Sequence, residues 1–143
     1  MTPVERDLQL IRRHLAALDG ALTQLRRHTG RPLALLSSDL DERWAVERGL
    51  QVCAQNCIDL ATHLTASAGQ SPNDYGSAID ALVPLGVLDP AFASRFRAVA
   101  GFRNVLVHAY LEIDLARMHQ LLNQRLDDFA KFAAEIRRAL GES

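Results

Sequence analysis

Arg103, Asn104, His108 and Tyr110 stand within one ten-residue stretch, GFRNVLVHAY, in the company of Phe102, Val105, Leu106 and Val107. These residue types suit proton and phosphate chemistry. An imidazole titrates near neutral pH and can move a proton, while a guanidinium can hold a phosphate bidentately and neutralise charge on a pentacoordinate phosphorus. With a ribose 2′-hydroxyl as internal nucleophile, the two groups suffice for RNA cleavage without a metal.

Geometry decides whether they can cooperate. On a helical projection at ~100° per residue, Phe102, Val105 and Leu106 fall on one arc, the face for the protein's own core. Tyr110, Arg103, Asn104 and His108 gather on the remaining arc, with Val107 in their midst and Ala100 and Gly101 at its border. Arg103 and His108 are about 140° apart on that projection, too far to share one ligand on a single straight helix. Two copies related by a twofold axis remove the difficulty, because facing helices place both residue types along one cleft. Spacing alone also fits a plainer reading, in which His108 is a satisfied helix-end histidine and Arg103 an interface salt bridge.

The elements that must carry this stretch are helical throughout. Thr2, Pro3 and Glu5 form a capping box with proline at the first helical position, and Val4, Leu8, Ile11, Leu15, Leu18, Leu22 and Leu25 give a seam to about Arg27. Gly30 and Pro32 end that helix. Ser37, Ser38 and Asp39 offer caps for a second through Trp44, Val46, Leu50, Cys53, Cys57, Leu60 and Leu64. After the turn-like AGQSPN, Ala78 to Val83 predicts a short helix, and Asp89-Pro90 starts another whose stripe is Phe92, Phe96, Val99, Phe102 and Leu106. Asp114 caps a last helix through Leu115, Met118, Leu122, Leu126, Phe129, Phe132, Ile136 and Leu140, stopped at Gly141. The short connection between the last two makes them an antiparallel hairpin. No period-two alternation points to a sheet, so the expected fold is an all-α up-and-down bundle of four long helices and one short, a single domain over residues 1–143.

Composition narrows the function classes. The 143 residues are long enough to bury a core, and 48% hydrophobic with 23% charged residues is ordinary for a globular domain. No apolar run reaches the ~18–20 residues of a membrane span, and the first twenty residues lack a signal peptide's apolar block, so a cytoplasmic protein is expected. Net charge of −1 offers no global attraction to nucleic acid. Locally, Pro90 to Leu111 holds Arg95, Arg97 and Arg103 with no acidic residue, a basic island whose Arg95 and Arg97 read as a solvated face before a phosphate contact. Of the 16 basic residues 15 are arginine, which tempers any reading of the island. Cys53 and Cys57 are one helical turn apart, poorly oriented for a disulfide, and read as reduced core residues. His14, His28, His63 and His119 show no ligand spacing, and no Walker sequence, CxxC pair or HExxH is present. No cofactor or metal is expected.

Arg103, four intervening residues, His108, one more and Tyr110 match the R-x4-H-x-Y motif of the HEPN superfamily, and GFRNVLVHAYLEID resembles its HepT toxin branch. Similarity extends through VERGLQVCAQNCIDLATHL, the LVPLGVLD turn and DFAKF, covering about Val4 to Phe132, with the first helix matching in pattern only. The resemblance implies an all-α homodimer acting as a metal-independent endoribonuclease toxin, with Arg103 and His108 as the catalytic pair and Asn104 in support. It implies an antitoxin partner of the MntA type, a minimal nucleotidyltransferase that transfers AMP from ATP to a motif tyrosine, here Tyr110. Added AMP would bring negative charge and bulk to the cleft where RNA phosphate must bind. Ala109 stands where an acidic residue is common in relatives.

Alternatives stay open beside this reading. Asn104 fits either orientation of the imidazole or RNA, or capping of a neighbouring helix. Tyr110 fits the modified residue or an aromatic anchor of the hairpin. Trp44 and the phenylalanines read as core. At the level of the whole chain, the competing function is a non-catalytic binding subunit of a nucleotidyltransferase.

Overall fold

The computed structural model describes residues 2–107 and 114–142, and their side chains apart from Pro3, Ala100 and residues 104–107. Among the described residues every regular element is a helix, in the order α1 (Pro3–Arg26), α2 (Leu33–Ser38), α3 (Leu40–Ser67), α4 (Tyr75–Ala81), α5 (Pro90–Phe96), α6 (Ala98–Val107), α7 (Leu115–Gln124) and α8 (Leu126–Ala139).

Helix starts follow the caps. The Thr2 hydroxyl accepts from Glu5 N at 3.1 Å while the Glu5 carboxylate accepts from Thr2 N at 2.8 Å, closing the capping box. Asp39, Asp74, Asp89 and Asp114 each accept from a backbone N–H of the first turn, opening α3, α4, α5 and α7. Asp74 moves α4 ahead of the expected Ala78, because the cap nucleates the helix before its apolar residues begin.

The long helix α3 is the centre of the bundle, and α1, α2, α4, α6, α7 and α8 all pack on it. Its neighbour α1 buries Ile11, Leu15, Leu18, Leu22 and Leu25, while Val4, at the start of the seam, is exposed. Gly49 makes room for Leu25: a Cβ there would come within 2.5 Å of Leu25 Cδ2, so a larger residue would displace that side chain from its place against α3.

Two expected long helices are each interrupted. The segment from Pro90 breaks at Arg97 into α5 and α6, and the last segment breaks at Arg125, whose φ of −123° and ψ of 0° depart from helix. The apolar stripes nevertheless run through both breaks, since Phe92, Phe96, Val99 and Phe102 are buried, as are Met118, Leu122, Leu126, Phe129, Phe132 and Ile136. The two segments are antiparallel, with Arg95 beside Asp128 at one end and Arg117 over the Phe102 ring at the other. Phe96 holds them together, stacked on Phe92 at 5.1 Å and on Phe132 at 4.8 Å, with Phe129 edge-on at 6.0 Å.

Trp44 corrects one expectation. It is 62% exposed, whereas all five phenylalanines are buried. The apolar face of α3 passes through Val46, Leu50 and Cys53, and Trp44 lies off that line.

Cys53 and Cys57 are fully buried and unpaired, as their spacing implied. Burial pushes the Cys53 thiol up to about 12, and burial together with Cys53 raises Cys57 well above the ordinary range. Both are therefore neutral thiols in the fold, with a thiolate fraction at Cys53 of about 10⁻⁴ at pH 8. Native protein should leave both thiols unlabelled by a thiol-disulfide reagent at pH 8 over minutes, whereas both should react at once in denaturant. Fast labelling of native protein would contradict this packing. In the unfolded chain these thiols ionise at about 8.5, so their burial holds stability below that pH and loses it as pH climbs toward the folded values.

Candidate functional site

Helix α6 presents the basic end of the island to α3 and α4. The Arg103 side chain is half-buried, and its Nε donates to Gln55 Oε1 on α3 at 2.9 Å. Gln55 in turn donates from Nε2 to Asp59 Oδ1 at 2.8 Å, one turn further along the same helix. On the other side, the guanidinium carbon lies 5.2 Å from the centre of the Tyr75 ring, within cation–π range. Tyr75 is the first residue of α4, placed by the Asp74 cap, and backbone and side-chain hydrogen bonding to Ser77, with Arg97 nearby, lowers the Asp74 carboxyl from its ordinary value.

The other two arginines of the island behave as the plainer reading required. Arg97 pairs with Asp80 at 2.9 Å and lies over Gly76, and Arg95 pairs with Asp128 at 3.2 Å while covering the Phe92 ring. Acidic residues from α4 and α8 thus neutralise what looks like a basic run in the linear sequence. Arg103 meets the Gln55 amide from α3 and the Tyr75 ring from α4.

Asn104 follows Arg103 on α6, and its side chain lies outside the described residues, as do His108 and Tyr110 entirely. Gln55, Asp59 and Tyr75 carry no motif and escape a reading of the sequence. The available signal is faint: Gln55 and Asp59 stand four apart on α3, beside the apolar line of Cys53, Cys57 and Leu60.

A groove of about 420 Å³ runs between α5–α6 and α7–α8. Its floor is Phe96, Val99, Phe102 and Phe129, and its rim includes Arg117 together with Arg95 and Arg125, both of which pair with Asp128. Three of the four histidines without ligand spacing have hydrogen-bond partners, His14 in Asn56, His28 in the buried Glu42 and His119 in the Arg31 carbonyl, while His63 Nε2 stands 3.5 Å from Asp7 Oδ1. No group of three or more His, Cys, Asp or Glu among the described residues could hold a metal ion, and no helix among them is long and apolar enough to cross a membrane.

Relatives agree with this architecture. Residues 18–136 match the ribonuclease HepT-like family. The chain is 26% identical to the mRNA nuclease HepT of Shewanella oneidensis over 62% of its own length and 67% of that protein's. It is 26% identical to the tRNA nuclease HepT of Aphanizomenon flos-aquae over 93% of its length and 86% of the relative's. Among solved structures, a tri-AMPylated HEPN toxin of Shewanella oneidensis in complex with an MNT antitoxin superposes with a TM-score of 0.78 at 21% identity, covering 96% of this chain and 99% of that one. A toxin–antitoxin complex with AMP-PNP gives 0.80 at 21% identity over 91% and 98%. The family match spans most of the bundle, including α3, α4 and α6, and on that ground the chain belongs to the HepT-like ribonuclease family.

Proposed function

We propose that this chain is an endoribonuclease toxin that acts as a homodimer, cleaves RNA without a metal, and is silenced by AMPylation of Tyr110. The nucleotidyltransferase antitoxin is of the MntA type. The observation that carries the reading is the R-x4-H-x-Y spacing of Arg103, His108 and Tyr110 within a chain of this family, with Arg103 braced between α3 and α4.

In the proposed reaction, His108 accepts the proton of a ribose 2′-hydroxyl as its oxygen attacks the adjacent phosphorus. The bond to the 5′-oxygen breaks, and that oxygen takes up a proton from water, while His108 returns the proton it accepted to solvent. The products are a 2′,3′-cyclic phosphate and a 5′-hydroxyl, with no net redox change. Arg103 stabilises the doubly charged phosphorane, where a fixed cation acts most strongly. Asn104 supports the pair. The twofold cleft brings Arg103 and His108 to one phosphate although they diverge on a single helix.

Purified wild-type chain should be dimeric by light scattering and should cleave RNA in excess chelator, leaving 2′,3′-cyclic ends. A substrate with deoxyribose at the cleaved position should stay intact. Expression alone should arrest growth, and co-expression of the nucleotidyltransferase should relieve the arrest while adding AMP to Tyr110. Intact RNA under all these conditions, with tight binding to the nucleotidyltransferase, would favour the non-catalytic binding subunit instead.

A further inference from the structure

We infer that Gln55 and Asp59 are positioning residues that set the orientation of the Arg103 guanidinium. The inference rests on the proposed reading of Arg103 as the phosphate-stabilising group.

The polarity of the relay is set at its acidic end. The Asp59 carboxylate can only accept, so the Gln55 amide must turn its Nε2 toward Asp59. Its Oε1 then faces α6, and that is the one atom of the side chain able to accept from Arg103 Nε. Without the carboxylate both orientations of the amide are open, and one of them puts a donor against a donor. Asp59 therefore acts on the arginine through the amide.

The relay also holds position. Arginine has a long flexible stem, and its phosphate geometry depends on the plane of a rigid fork. Anchoring Nε fixes that plane and the direction of the Nη edge. The Tyr75 ring, 5.2 Å from the guanidinium carbon, supports the side chain from α4. Gln55 and Asp59 share one rigid helix at a spacing of one turn, so the relay is set by α3 and needs no loop to order it.

The test reverses the relay's polarity. Asp59→Asn frees the Gln55 amide to flip, because the substituted side chain can donate to Gln55 Oε1 as readily as it accepts from Nε2. Gln55→Glu combined with Asp59→Asn restores a single polarity, in which a glutamate accepts from Arg103 on one side and from the new amide on the other. In the purified dimer, Asp59→Asn should lower kcat for RNA cleavage by about 10-fold with KM nearly unchanged, and the double variant should recover most of it. Thermal midpoints of all three proteins should agree closely.

A second readout is independent of catalysis. The Nε–H resonance of Arg103 in a ¹⁵N–¹H spectrum should be protected from solvent exchange in the wild type and the double variant, and exchange fast in Asp59→Asn. Unchanged protection in Asp59→Asn, or unchanged kcat in an active enzyme, overturns the positioning role. A double variant as impaired as Asp59→Asn also overturns it. Should the wild type cleave no RNA, the proposed function fails, and the resonance still decides whether the relay orients Arg103.

Discussion

Arg103→Ala is expected to slow RNA cleavage by about 10²–10³-fold while leaving the fold intact. The magnitude is that of removing one fixed donor from a developing oxyanion, about 3–4 kcal/mol. The structural loss is smaller: the hydrogen bond to Gln55 and the cation–π contact, at a half-buried position, contribute about 1–2 kcal/mol between them. Single-turnover cleavage rates and a denaturant titration on the same preparation separate the two effects. Arg103→Lys should recover little, since an ammonium keeps the charge but lacks the fork that meets both Gln55 and phosphate. An Arg103→Ala protein cleaving within about threefold of wild type would remove Arg103 from the proposed chemistry.

His108→Ala should be as severe, and the two inactive chains together should test the twofold cleft. If Arg103 of one protomer serves the phosphate beside His108 of the other, a mixed dimer contains one complete site. Statistical mixing of equal amounts then returns about a quarter of wild-type activity, half the dimers being mixed with one working site of two. A mixture as dead as its components would contradict that sharing.

Phe132→Ala is expected to cost about 3–5 kcal/mol of stability, the largest effect among substitutions away from the site. Its ring is fully buried and stacks on Phe96 at 4.8 Å, so truncation opens a cavity where α5 meets α8. For a domain of ordinary stability, about 5–15 kcal/mol, that is a large fraction of the total. Urea unfolding should show a lower midpoint with little change in slope. Trp44→Ala makes the contrast. It removes a larger side chain, yet at 62% exposure the expected change is within about 0.5 kcal/mol. Comparable losses at the two positions would mean that α3 buries a different face.

Much of the fold is legible in the sequence because helix boundaries are local. Caps at Thr2, Asp39, Asp89 and Asp114 and breaks at Gly30, Pro32 and Gly141 act within a few residues of themselves, so reading them needs no partner. The apolar stripes name the buried residues for the same reason. The breaks at Arg97 and Arg125 carry no proline or glycine and leave no mark in the pattern. The short α2 escapes notice because six residues between two breakers show no periodicity. Trp44 is misleading by its residue type, since hydrophobicity alone does not say which side of a helix a residue occupies.

The site divides along the same line. Sequence by itself determined the helical class, the apolar stripes that close the bundle and the motif that singles out Arg103, Asn104, His108 and Tyr110, because residue type and spacing along one chain are local facts. Only the tertiary structure decided how Arg103 is held and which of its neighbours matter. Gln55 and Tyr75 are distant from Arg103 in the chain, and they reach it because α6 packs on α3 and α4. It likewise decided that Arg95 and Arg97 are neutralised by Asp128 and Asp80, since an ion pair between helices depends on how they pack. Charge along a sequence does not fix charge in space: the basic island of the linear chain holds two arginines already paired to carboxylates that other helices bring to them.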